Sequence, residues 1–202
     1  MKILILGGDG YLGWPTALSF SKKKHDVIVV DNFIKKKMEL EFGFKPLIPQ
    51  LSLQERAKKW NLNQDNPVKV VIGDLLNHRF VRDILSEHKP DVIVHYAEQP
   101  SAPYSMSNRE RAVFTQQNNV IGNLNLLFAI KKSCPSTHLI KLGTLGEYGT
   151  PNIDIEEGWI DIEHNGRKDR MLYPKKPGSF YHLSKVHDSA NIEFACRNWG
   201  LK

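Results

Sequence analysis

At 202 residues, with 41% hydrophobic and 25% charged side chains, the chain is long enough for one well-filled core and too short to presume two complete domains. No apolar run approaches the ~18 residues of a bilayer span, and the N terminus reads as the first strand of a fold rather than a targeting peptide, so a cytoplasmic protein with no membrane partner is expected. The formal charge of +6 sits in short lysine clusters such as Lys22 to Lys24, Lys35 to Lys37 and Lys131-Lys132, at expected helix ends and in loops. There cations meet helix carbonyl groups, which argues against nucleic acid as a partner and leaves some charge to draw in an anionic substrate. Cys134 and Cys196 lack metal-ligand spacing, so no metal site is expected.

In chain order, an apolar strand at 2–6 runs into Gly7-Gly8-Asp9-Gly10-Tyr11-Leu12-Gly13 and then a helical stretch at 12–24. A second strand at 27–31 ends in Asp31-Asn32, about 20 residues after the glycines, as a dinucleotide fingerprint requires. An insertion near 33–66 carries a helix at 52–60, opened by Ser52 with Glu55 three residues on, a capping box. A strand at 68–73 precedes Gly73-Asp74-Leu75, which suits either an adenine contact or a plain turn. A helix at 78–88 stops at Lys89-Pro90-Asp91, before a strand at 91–96. A long helix at 107–133 and a strand at 137–143 lead to Thr144. A second insertion, near 150–178, contains a hairpin of Trp159 to His164 and Arg167 to Leu172 around Asn165-Gly166, a type I′ turn pair. The last helix covers 179–199. This alternation predicts one dinucleotide-binding domain over 1–202: α/β, a Rossmann-type doubly wound parallel sheet.

The candidate chemistry follows from the pattern. Gly7 permits a tight turn, Gly10 lets backbone approach a pyrophosphate, and Gly13 lets helix and strand pack, with Tyr11 and Leu12 beside the same ligand. The Asp31 carboxylate can accept from a free ribose 2′-hydroxyl and repels a 2′-phosphate, so NAD is expected over NADP, although Lys35 to Lys37 leave room for the latter. Asn32, Asp74 and Leu75 are further candidate contacts. Tyr181 and Lys185 stand four apart and share one helix face. A nearby ammonium stabilises a phenolate, making Tyr181 a candidate base, with Thr144 as its partner at a strand end.

From Gly7 to Lys185 the chain resembles the extended short-chain dehydrogenase/reductase superfamily, through the glycine turn, Asp91 to Ala97, Asn118 to Gly122, Thr144 with Tyr148-Gly149, and Tyr181 with Lys185. Within it, Gly7 to Trp14, Glu98-Gln99 with Ser101 to Met106, Gly143 to Gly158, and Tyr181 to Ser189 look like a branch that joins sulfite to UDP-glucose. The resemblance implies bound NAD, UDP-glucose and sulfite (or a sulfite-donating protein) as partners, and a homodimer through the helices at 107–133 and 179–199. It implies Asn119 among the cofactor contacts, and Gln99 and Ser101 among the substrate contacts. Elimination and sulfite addition need two more acid/base groups, and Glu147 and His182 are the candidates; a surface glutamate and a packing histidine are the alternatives.

Sister dehydratases follow the threonine with an Asp-Glu pair, where this chain has Leu145-Gly146. Pro100 stands where branch members carry arginine. The sequence stops at Lys202, where a sixth strand and the substrate-binding C-terminal part of such enzymes are expected to begin. A UDP-sugar 4-epimerase or dehydratase, or a non-catalytic NAD-binding fragment, are the rival readings.

Overall fold

Every residue of β1 (Lys2–Leu6) after Lys2 is buried, as are the four central residues of β2 (Asp26–Asp31). Strands this apolar belong in a parallel sheet covered on both faces. The two pair in parallel from Lys2 opposite Asp26 to Leu6 opposite Val30. β3 (Lys69–Ile72), β4 (Val92–His95) and β5 (His138–Lys141) complete a parallel sheet of order β3-β2-β1-β4-β5. This is the topology of the computed structural model, which describes residues 1–156 and 158–202. The expected Rossmann-type sheet is thus observed, each strand end within two residues of its sequence reading. The winding direction reverses between β1 and β4, and such a switch point opens a crevice at the carboxyl ends of the strands.

Alternate residues feed two cores. On one face α1 (Gly13–Lys22), α2 (Ile34–Glu41) and α3 (Leu53–Asn61) accompany Ile3, Ile5, Val27, Val29 and Val94. On the other, α4 (His78–His88) and two later helices enclose Leu4, Leu6, Ile28, Val30 and Ile93. The expected helix at 107–133 resolves into α6 (Arg109–Gln116), a π turn at Gln117–Ile121 and α7 (Gly122–Ser133), preceded by a separate short α5 (Ala102–Met106). The π turn adds a residue to one helical turn and so rotates α7 relative to α6; both Asn118 and Asn119 are thereby buried. After β5 come a single 3₁₀ turn (Leu145–Glu147), the hairpin β6 (Trp159–His164) and β7 (Arg167–Leu172), and α8 (Phe180–Trp199).

Local signals set the insertions. The Ser52 hydroxyl accepts from the Glu55 N–H at 3.2 Å, while Glu55 accepts from the Ser52 N–H at 2.9 Å. Asn165 and Gly166 both have positive φ, 51° and 70°, as a type I′ hairpin requires. Helix α2 escaped the sequence reading because its lysine-rich turn buries only Met38. Leu201 returns to the core, and the Lys202 carbonyl accepts from the Leu139 N–H at 2.8 Å on the outer edge of β5. Among the described residues, no helix is long and apolar enough to cross a membrane.

The helices through which a homodimer is expected spend part of their apolar surface on the core. Leu127 is buried and Ile192 packs against the core, so neither is free for a partner. Ile121 and Phe194 do face outward, joined by Phe128, whose ring lies 4.9 Å from that of Trp199.

Leu126 on α7 is fully buried against the sheet. Leu126→Ala is expected to cost ~2–5 kcal/mol through lost burial and the cavity left behind, read as a lower denaturant midpoint at constant slope. A loss below about 1 kcal/mol would contradict its place in the core.

Candidate active site

The crevice at the switch point has a volume of about 1000 Å³ and is lined by the glycine turn, Asp31, Asn32, Asp74, Leu75, Tyr96 to Glu98, Pro100, Asn118 and Leu142. The turn is pinned onto the end of β2, since both Gly7 and Gly8 donate their N–H groups to the Val30 carbonyl, at 2.8 and 3.0 Å. Gly7 has φ 84°, and a Cβ there would lie 2.8 Å from the Ala97 nitrogen; one on Gly13 would overlap the Gly7 carbonyl. The first turn of α1 carries no side-chain cap; its Trp14 and Thr16 N–H groups donate to the Gly10 and Leu12 carbonyls, at 3.3 and 3.1 Å, and Tyr11 and Leu12 are exposed at the crevice. A cradle of bare backbone opening a helix fits the pyrophosphate of a dinucleotide.

At the next strand end Asp31 accepts from the Asp9 N–H at 2.8 Å and from the Phe33 N–H at 2.7 Å. Burial pushes its carboxyl pKa up, and these two hydrogen bonds oppose the rise. Asn32 donates to Asp74 at 3.1 Å, and Asp74 and Leu75 both face the crevice. Gly73 itself is a packing residue, because the Phe80 ring occupies the space of a side chain there.

Tyr181 and Lys185 lie in the first turns of α8, whose start is fixed by Ser179 accepting from the His182 N–H at 3.1 Å. The Lys185 ammonium donates to Glu98 and to the Leu142 carbonyl, both of which line the crevice. Glu98 also pairs with Lys141, which pairs in turn with Asp188 at 3.1 Å. Lys185 is therefore anchored in a buried ionic cluster. Among the described residues, the Tyr181 hydroxyl makes no hydrogen bond to Lys185 or Thr144. Burial lowers the Lys141 ammonium to about 7, with Asp188 opposing the shift. His95, buried beside the cluster, is held neutral by burial first and then by the Lys141 and Lys185 charges.

Thr144, three residues after β5, caps the 3₁₀ turn, its hydroxyl accepting from the Gly146 N–H at 3.2 Å. The His182 imidazole fills the space that a side chain on residue 146 would need. Its Nδ1 lies 3.0 Å from the Ser179 hydroxyl, and its ring centroid 5.1 Å from that of Tyr181. Thr144, Gly146, Tyr181 and His182 thus come together at one place.

Other candidates sit elsewhere. Glu147 is neither a surface residue nor an unengaged carboxylate: it is 4% exposed, paired with Lys175 of the insertion, and accepts from Ser189 of α8 at 2.9 Å. Gln99 is fully buried, holding Thr115 at 2.8 Å and the Ser101 backbone, which removes it from substrate reach. The Ser101 hydroxyl caps α5 by accepting from Tyr104 at 3.2 Å. Asn119 bridges the Gln99 backbone and the Ser184 hydroxyl, so its neighbour Asn118 lines the crevice instead. Glu98, Lys141 and Asp188 were missed as a site because no local spacing joins residues on the loop after β4, on β5 and on α8.

A family profile described as NAD dependent epimerase/dehydratase family matches residues 3–201. The chain is 52% identical over 201 residues to the chloroplastic UDP-sulfoquinovose synthase of Spinacia oleracea, covering 100% of this chain and 42% of that protein. It is 43% identical to the UDP-sulfoquinovose synthase of Sulfolobus acidocaldarius, over 94% of this chain and 48% of that one. Among solved structures, the UDP-glucose 4-epimerase of Brucella ovis in complex with NAD superposes with a TM-score of 0.70 at 19% identity, covering 100% of this chain and 49% of that chain. At such low identity the likeness establishes the fold. The chain spans about half the length of the curated relatives it matches.

Glu147→Gln would leave Lys175 facing an uncharged amide in a buried setting, and breaking such a pair is expected to cost ~3 kcal/mol or more. Chemical denaturation checks this. A change within about 0.5 kcal/mol, the scale of a surface substitution, would show that the pair contributes nothing.

Proposed function

Because the chain belongs to the NAD-dependent epimerase/dehydratase family, we propose that it forms the nucleotide-binding half of a UDP-sulfoquinovose synthase, acting on UDP-glucose and sulfite. The observation that carries this reading is the His182 imidazole seated over Gly146, beside Thr144 and Tyr181. It supports the reading because the ring fills the space left by Gly146, at the position where the resemblance leads one to expect an acidic residue in sister dehydratases.

NAD, when bound, supplies the hydride acceptor and donor. The turn from Gly7 to Gly13 takes its pyrophosphate, and Asp31 accepts from its ribose hydroxyls. Thr144 hydrogen-bonds the sugar C4 hydroxyl while Tyr181 takes its proton; with the C4 hydride passed to NAD, which would lie beside it, the resulting ketone acidifies the C5 hydrogen. His182, oriented by Ser179 at Nδ1, exchanges protons through Nε2 as water leaves C6 and sulfite adds to the 4-keto-5-ene. Glu147 serves this scheme by holding the inserted hairpin against α8. Lys185, fixed by Glu98, keeps a positive charge near the reacting end of the crevice. A homodimer through the face bearing Ile121, Phe128 and Phe194 completes the reading.

The test is product analysis of the full natural chain given NAD and UDP-glucose, with and without sulfite. UDP-sulfoquinovose is expected only with sulfite, and Tyr181→Phe is expected to lower its formation about 10²-fold or more with NAD still bound. His182→Asn is expected to suppress sulfite incorporation more than oxidation at C4. UDP-galactose formed irrespective of sulfite would replace this reading with a 4-epimerase.

A further inference from the structure

We infer that Asp9, inside the glycine turn, sets the cofactor preference by holding two cations away from the ribose 2′ position. This rests on the NAD assignment and adds to it a residue outside the usual strand-end acid. The Asp9 N–H donates to the Asp31 carboxylate, so residue 9 lies next to the group that reads the ribose hydroxyls. Its own carboxylate, 7% exposed, binds Lys36 at 2.8 Å and pairs with Arg56, whose Nη2 also reaches the Asp9 carbonyl at 3.4 Å. Lys36 and Arg56 both line the crevice. Arg56 is steadied by the Trp14 ring, 4.9 Å from its guanidinium, and its buried Nε has no partner among the described residues.

The geometry therefore contains the parts of a 2′-phosphate site. A lysine and an arginine with an unused donor stand beside the 2′-reading carboxylate, and guanidinium–phosphate pairing is among the stronger charge-assisted contacts. What prevents that use is Asp9, which occupies both cations and adds a second negative charge next to Asp31. The Coulombic effect of Asp9 on Asp31 is to raise its pKa, consistent with two carboxylates sharing one neighbourhood. A 2′-hydroxyl meets no penalty from this arrangement. A 2′-phosphate meets two carboxylates, with Lys36 and Arg56 already paired to one of them.

The experiment is calorimetric binding of NAD and of NADP to the full natural chain and to Asp9→Asn, at two ionic strengths. Asp9→Asn is expected to raise the affinity for NADP relative to NAD about tenfold or more, with that gain shrinking at higher salt as freed cations predict. Adding Lys36→Gln and Arg56→Gln to that variant should erase the gain. Parallel weakening of both nucleotides, or an unchanged ratio, would overturn the inference while leaving the NAD assignment in place. Failure of the unmodified chain to bind either nucleotide would overturn both. Should Asp9→Asn prove unfolded by circular dichroism, the Lys36→Gln/Arg56→Gln double variant decides: it is expected to weaken NADP about threefold with NAD retained, and an unchanged ratio there contradicts the idea.

Discussion

The Glu98 carboxylate, shared between Lys185 and Lys141, is the interaction on which the reacting end of the crevice depends. It ties the loop after β4 to the last residue of β5 and to the second turn of α8. Each ion taken from water costs several kcal/mol, so such groups persist only when paired and hydrogen-bonded. Here two carboxylates, Glu98 and Asp188, face two lysines, of which burial lowers Lys141 to about 7, and His95 beside them stays neutral. The Leu142 carbonyl gives Lys185 a second acceptor and fixes where its charge sits relative to the crevice.

The other end of the crevice obeys the opposite logic, since its main feature is the lack of side chains. Gly7 and Gly13 keep Cβ atoms out of a junction where the loops after β1 and β4 nearly touch. Pinning of the turn to the Val30 carbonyl sets the start of α1 at the crevice.

Much of this was legible in the sequence because its causes are local. The strands, the Ser52 capping box and the Asn165-Gly166 turn arise from propensity, period and turn chemistry within a few residues. The glycine turn and Asp31 were legible for the same reason. The features that were not legible depend on partners far apart in the chain. Glu147 read as an acid/base group because its partners, Lys175 and Ser189, lie 28 and 42 residues away. Gln99 and Asn119 read as ligand contacts, yet they bond each other's backbone and side chain inside the fold. A π turn, for which no sequence signal was found, decides that Asn118 rather than Asn119 faces the crevice.

In the proposed function, a nucleotide sugar reacts where Thr144, Tyr181 and His182 meet, beyond the Glu98-held Lys185. A crystal structure of the full natural chain with NAD and UDP-glucose tests this most directly. The sugar C4 hydroxyl is expected within hydrogen-bond reach of both Thr144 and Tyr181, with the His182 imidazole on the C5–C6 side. A sugar ring lodged away from all three side chains would contradict it.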